Sequence, residues 1–181
     1  MTIILDPGHG MSNKKAGVFD PGACAGGARE ADIVMDWANE LRGFLICMGH
    51  RVVRTRVDHR DPAPVGQRAS IARQYGGEIM VSLHCNAATG TAQGTETFYR
   101  GEKHREMAKR LNDCVVAYLG TKDRGVKTES QSQHKSLAVM AFQPTFLIEL
   151  GFIDHAGDRA KMQDANLRRK TCEALAKIIV S

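Results

Sequence analysis

Apolar residues along this chain come in short blocks parted by Gly, Pro, Asn and Asp, and the spacing inside each block follows one of two periods. The stretches 2–6, 78–84 and 145–150 are nearly unbroken apolar runs, the pattern of strands buried on both faces of a sheet. The stretches 50–56, 94–100 and 135–140 are more mixed and predict further strands, with 94–100 nearer an edge. Between them the period changes. Ile33, Val34, Trp37, Ala38, Leu41, Leu45 and Met48 recur at helical intervals and predict a helix over 30–48, stopped by Gly49. Helices are also expected over 65–75, over 102–119 and over 158–180, the last broken near Asn166. Strands alternating with helices predict an α/β fold, a single-domain sandwich whose mainly parallel (mixed) central sheet of about six strands is flanked by helices. Two Gly-containing stretches, 10–28 and 120–133, follow neither period. They are expected to be long loops flanking a cleft at the carboxyl ends of the strands, where open α/β sheets place ligands.

Composition adjusts this picture in a few places. The 181 residues suffice for one domain, expected to span 1–181 and to be monomeric by default, and 43% apolar with 25% charged residues argues against disorder. No apolar run approaches the roughly 20 residues of a membrane-spanning helix. The opening Met1-Thr-Ile-Ile-Leu-Asp6 lacks the basic and apolar regions of a signal peptide, so synthesis in the cytoplasm is expected. Five widely spaced cysteines, odd in number, argue against both a disulfide framework and a Cys-x-x-Cys zinc site, and most are expected to be reduced core residues. The net charge of +5 is scattered, the pattern of a well-solvated surface; if it serves an acidic partner, the lack of the common nucleic-acid-binding signatures favours an anionic cell wall over nucleic acid.

The chemistry centres on Glu149, a carboxylate within the apolar run 145–150. Desolvation disfavours its charged form, so something positive is expected opposite it. Leu5-Asp-Pro-Gly-His-Gly10 after the first strand, Arg29-Glu30 opening the first helix, and Ser82-Leu-His-Cys-Asn86 ending another strand could supply that charge by holding a metal. Two histidines and a glutamate on separate elements can bind zinc and leave a fourth position for water, whose pKa then falls toward ~7. Cys85 should face away from His84, as a small core residue. Asp6 and Glu96 could accept N–H groups from the ligating imidazoles, or could serve a turn and an exposed strand face. Arg124 and Lys127 either meet substrate carboxylates or are solvated loop charges. His134 is placed at the cleft.

Leu-Asp-Pro-Gly-His-Gly at 5–10, Arg-Glu at 29–30, Ser-Leu-His-Cys-Asn-Ala at 82–87, Gly-Thr-Glu-Thr-Phe-Tyr at 94–99, Arg-Gly-Val-Lys at 124–127 and Leu-Ile-Glu-Leu-Gly-Phe-Ile at 147–153 resemble the zinc-dependent N-acetylmuramoyl-L-alanine amidases of the Amidase_3 family. The similarity spans essentially the whole chain, in order. It implies Zn2+ held by His9, Glu30 and His84, with Glu149 as the catalytic acid. It also implies a peptidoglycan substrate, cut at the amide between the muramic acid lactyl group and the first L-alanine. Asp6, Asn86, Glu96 and Arg124 are then expected to touch substrate or to stand behind the ligands. The chain departs from that pattern at Cys85, in the Gly-rich first loop with Cys24, and over 130–134. Without a visible leader or wall-binding domain it resembles the catalytic part of a phage or prophage lysis enzyme, acting at the wall after release. Two other readings stay open: a zinc peptidase cutting within the stem peptide, and a non-catalytic wall-binding module on the same scaffold, against which retention of all four site residues speaks.

Overall fold

The computed structural model of the protein describes residues 1–181. Its centre is a six-stranded sheet built from β1 (Thr2–Pro7), β2 (Arg51–Arg54), β3 (Ile79–Asn86), β4 (Thr95–Tyr99), β5 (Asp123–Thr128) and β6 (Thr145–Phe152), in the order β2-β1-β3-β6-β4-β5. The first four in that order run parallel; β4 pairs antiparallel with β6 and parallel with β5. The helices are α1 (Glu30–Cys47), α2 (Arg68–Gln74), α3 (Arg105–Val115), α4 (Ala156–Gln163) and α5 (Ala165–Ile179). None is long and apolar enough to cross a membrane.

Alternation along the central strands assigns side chains to two unequal layers. Ile3, Leu5, Val81, Leu83, Phe146, Ile148 and Leu150 join a core of 28 residues with Trp37, Leu41 and Leu45 of α1 and the inner faces of α3 and α5. Ile4, Met80, Phe98 and Leu147 point to the opposite face, where a cluster of only 9 residues includes Ala69 and Ala72 of α2 with Val139, Met140 and Phe142. Asp6, Ser82, His84, Glu96 and Glu149 share the parity of this thinly covered face. Toward the carboxyl ends of the parallel strands they form a polar row, with Asp6 beside Ser82 and Glu149 between His84 and Glu96.

Several expected elements moved. The run 135–140 is not a strand: Lys135 adopts φ +56, and Ala138–Ala141 forms a 3-10 turn that seats Val139 and Met140 under α2. The sixth strand is β5, inside the stretch expected to be a loop. As an edge strand it is at most half-buried, so Asp-Arg-Gly-Val-Lys-Thr carried no apolar signal. β4 consequently lies one place in from the edge. The first loop holds two short ladders, Gly10–Met11 with Phe19–Asp20 and Cys24–Ala25 with Ala28–Arg29. The C-terminal helix breaks at Asp164, whose carboxylate caps α5 through the Asn166 and Leu167 amides. Of the five cysteines, Cys85, Cys114 and Cys172 are buried and Cys24 and Cys47 are exposed; all are free.

Candidate metal centre

Two buried guanidinium groups shape the loop that leaves β1. Arg56 donates to the carbonyls of Pro7 and Gly8 at 2.9 and 2.8 Å, and Arg68 to those of Pro7 and His9 at 3.0 and 2.7 Å. Arg68 is itself anchored on the fully buried Asp6 at 2.6 Å, which also accepts from the hydroxyls of Thr55 and Ser82. Burial pushes the Asp6 carboxyl up, but Arg68 and the two hydroxyls more than reverse this and keep it ionised. Removing one member of such a buried pair costs about 3–5 kcal/mol. The clamp holds His9 at φ +61, which turns its imidazole into the space above the sheet. Gly10 must be glycine here, since it sits at φ +99 and a Cβ would lie 2.7 Å from Arg56 Cδ.

His9 Nε2 lies 3.0 Å from Glu30 Oε1, and His84 Nδ1 lies 3.1 Å from the same oxygen. The donor atoms of His9, Glu30 and His84 all fall within 4.8 Å of one another, and the two rings meet edge to face at 5.1 Å. The His84 ring rests on the backbone of Gly8, where a Cβ would come within 2.3 Å. Glu30, the first residue of α1, is fixed by backbone as well, because Oε1 accepts from Cys85 N at 2.9 Å and Oε2 from Ala23 N at 3.0 Å. Burial raises its carboxyl; hydrogen bonds from His84 and then His9 outweigh that and hold it well below the usual carboxylate range.

Two imidazoles and an ionised carboxylate, converging from three separate elements, form a donor set that can hold a divalent metal ion and that suits zinc. Glu149 adds an independent sign. No lysine or arginine of the protein pairs with it, and its Oε2 is buried without a hydrogen-bond partner. Burial pushes this carboxyl well above its ordinary range, and the nearby Glu30 and Glu96 push it further. The positive charge expected opposite Glu149 is therefore not supplied by a lysine or arginine. His9, Glu30, His84 and Glu149 border one cavity of about 840 Å³. Both Gly-containing stretches reach its rim, through Asn13, Lys14 and Ala23 in the first and Arg124, Lys127 and Gln133 in the second, with His134 beside them.

The secondary residues divide differently from expectation. Asp6 orients no imidazole, since its oxygens are committed to Arg68, Thr55 and Ser82. Glu96 touches no histidine either, and it is buried rather than exposed. It accepts from Asn86 at 2.8 Å, Arg124 at 2.8 Å and Lys127 at 2.5 Å. Cys85 faces the large core, where burial raises its thiol well above the usual range.

The acceptor behind His9 is Asp20, whose Oδ2 lies 3.0 Å from Nδ1 and which is steadied by Asn13 and the Gly22 amide. With Nδ1 engaged by Asp20, Nε2 is the ring nitrogen turned toward Glu30 and the position a metal would take. Asp20-Pro21-Gly22 reads in sequence as a turn, and nothing marks the aspartate as a partner of His9. Asp20→Asn is expected to fold normally but to bind zinc about 10–100-fold more weakly, as loss of an outer partner usually does. Competition against a chelator of known affinity measures this, and an unchanged constant would remove Asp20 from the centre.

The sequence family described as N-acetylmuramoyl-L-alanine amidase, Amidase_3, matches residues 3–181. YqiI of Bacillus subtilis, an uncharacterized protein, is 31% identical over 178 residues that cover 96% of this chain and 81% of YqiI. The N-acetylmuramoyl-L-alanine amidase LytC of the same organism is 28% identical over 179 residues, and this chain spans only 34% of its length. Among solved structures, an N-acetylmuramoyl-L-alanine amidase from Clostridium difficile superposes with a TM-score of 0.85 at 26% identity, covering 99% of this chain and 94% of that one.

Proposed function

Because this chain belongs to the Amidase_3 family of N-acetylmuramoyl-L-alanine amidases, we propose that it hydrolyses the amide between the lactyl group of N-acetylmuramic acid and the L-alanine of the peptidoglycan stem. His9, Glu30 and His84 would hold zinc, and Glu149 would move the proton. One observation supports this above others: three ligating groups converge within 4.8 Å beside a carboxyl whose buried oxygen has no partner. Zinc bound there would supply Lewis-acid activation of water and of the scissile carbonyl.

The protein's own groups carry the remaining steps. Glu149 takes one proton from the attacking water as the water oxygen joins the carbonyl carbon. The same carboxyl then delivers that proton to the departing nitrogen as the C–N bond breaks, leaving a free L-alanine amino group and a lactyl carboxylic acid, which loses its remaining proton to solvent. To take that proton Glu149 must first be ionised, and a zinc ion held beside it would favour the ionised form against the burial that raises its proton affinity. Asp20 keeps the His9 ring in one orientation throughout.

Digestion of purified peptidoglycan by the zinc-loaded protein, followed by mass analysis, is expected to release stem peptides beginning with L-alanine and to leave the glycan strands intact. Fragments cut inside the stem would identify a peptidase instead, and an absence of turnover would identify a wall-binding module. A narrower part of the proposal is a role in phage or prophage lysis, with synthesis in the cytoplasm and action at the wall; the net charge of +5 supports attraction to an anionic wall. Production inside a host should then lyse it only when its membrane is permeabilised, and lysis by the protein without permeabilisation would contradict that route.

A further inference from the structure

His84, Glu149, Glu96 and the pair Arg124 and Lys127 lie on four successive strands, β3, β6, β4 and β5, and all border the same cavity. The outermost two are cations whose partner is fixed. Glu96 receives Arg124 Nε at 2.8 Å and Lys127 Nζ at 2.5 Å on one oxygen and Asn86 on the other, so its own accepting capacity is largely spent. The cations are not spent. Arg124 uses only Nε on Glu96, its guanidinium lies 4.8 Å from the Phe152 ring centroid, and its terminal nitrogens make no hydrogen bond within the protein. Both side chains keep about a third of their exposure, 31% for Arg124 and 29% for Lys127. One carboxylate against two cations leaves a net positive charge in the cavity wall, held in place by Glu96 and Phe152.

We propose that Arg124 and Lys127 form a subsite for a carboxylate of the stem peptide beyond its L-alanine. The proposal rests on the amidase reading above. Spacing decides where along the substrate the subsite falls. Neighbouring strands are ~4.8 Å apart, so groups that reach back from β5 toward β4 end roughly 5–10 Å from Glu149. An extended peptide advances about 3.3 Å per residue, so that distance corresponds to about two or three residues past the scissile amide. A carboxylate there would accept from the free Arg124 nitrogens and from Lys127 as charge-assisted hydrogen bonds. An amidated group at the same place would lose the charge and offer one acceptor instead of two.

The test uses muramoyl peptides that differ only in whether the stem carboxylates beyond L-alanine are free or amidated, with kcat and KM measured for hydrolysis and Kd by calorimetry. Wild-type protein should prefer the free form by roughly 10- to 100-fold, mainly through KM and Kd, on the scale of a hydrogen bond to a charged group. Arg124→Gln and Lys127→Gln should each shrink that preference toward parity, with melting temperature confirming that the variant is folded. Equal handling of the two forms by wild type would overturn the subsite, as would a preference kept by a folded variant. Hydrolysis without preference sinks the subsite alone, whereas binding preference without hydrolysis sinks the amidase reading and keeps the subsite.

Discussion

Glu149→Gln is expected to retain zinc near the wild-type level while hydrolysis of peptidoglycan falls by roughly 10²–10⁴-fold, the usual contribution of general acid–base catalysis. Glutamine keeps the volume and part of the polarity of the side chain but cannot take a proton from water. The protein itself has little to lose by the change. Glu149 Oε2 is buried without a hydrogen-bond partner, so no internal bond is broken and an unfavourably desolvated acid is removed. The variant should therefore be at least as stable as wild type. Metal content by atomic absorption, release of L-alanine amino termini and a thermal melt together check the prediction. A variant that lost its zinc would place Glu149 among the ligands.

Glu30→Gln should fail in the opposite order, with metal lost first and hydrolysis lost as a result. Glu30 is the only anion among the three converging groups, and both histidines approach its Oε1, at 3.0 and 3.1 Å. The same carboxylate accepts the Cys85 and Ala23 amides. An amide nitrogen in place of either oxygen would point a donor at donors and leave a backbone N–H unpaired. The loss in zinc affinity should exceed the roughly 10–100-fold expected when an outer partner is removed, and turnover at limiting zinc should fall with it. Excess zinc should restore some activity to Glu30→Gln and none to Glu149→Gln, which separates binding from chemistry in one titration. If Glu30→Gln kept zinc and activity while Glu149→Gln lost its zinc, the two roles would be reversed.

What the sequence disclosed, and what it withheld, follows from where the signals come from. Strands β1, β3 and β6 are buried on both faces, so continuous apolar runs marked them and placed His9, His84 and Glu149 at one end of the sheet. Strand β5 is a half-buried edge, and its polar residues read as loop. Conversely, Leu137 to Met140 was apolar enough to suggest a strand, but its side chains cover α2 from a 3-10 turn. Local pattern reports burial and is silent on which element does the burying. The same limit explains the supporting residues. Arg56 and Arg68 are each 1% exposed, yet an arginine in a short strand or helix looks like surface. Asp20 looks like turn chemistry because it is also that: its Oδ1 accepts the Gly22 amide while Oδ2 faces His9. Side chains that hold the ligands are set by tertiary contact, and no spacing along the chain encodes them.

The anchoring of Arg68 on Asp6 bears on how loss-of-function genetics of this protein would be interpreted. With Glu149 in the role proposed above, a screen that scores wall hydrolysis alone would return Asp6 and Glu149 together, as two acids without which nothing happens. The cells behind the two results would differ. One would contain folded, inert enzyme, detectable at ordinary abundance. The other would contain little protein, because the Arg68 guanidinium left in the interior without its carboxylate favours the unfolded chain, which proteases remove. Scoring protein level beside phenotype would sort the acids of this sequence into those that react and those that hold the chain in shape.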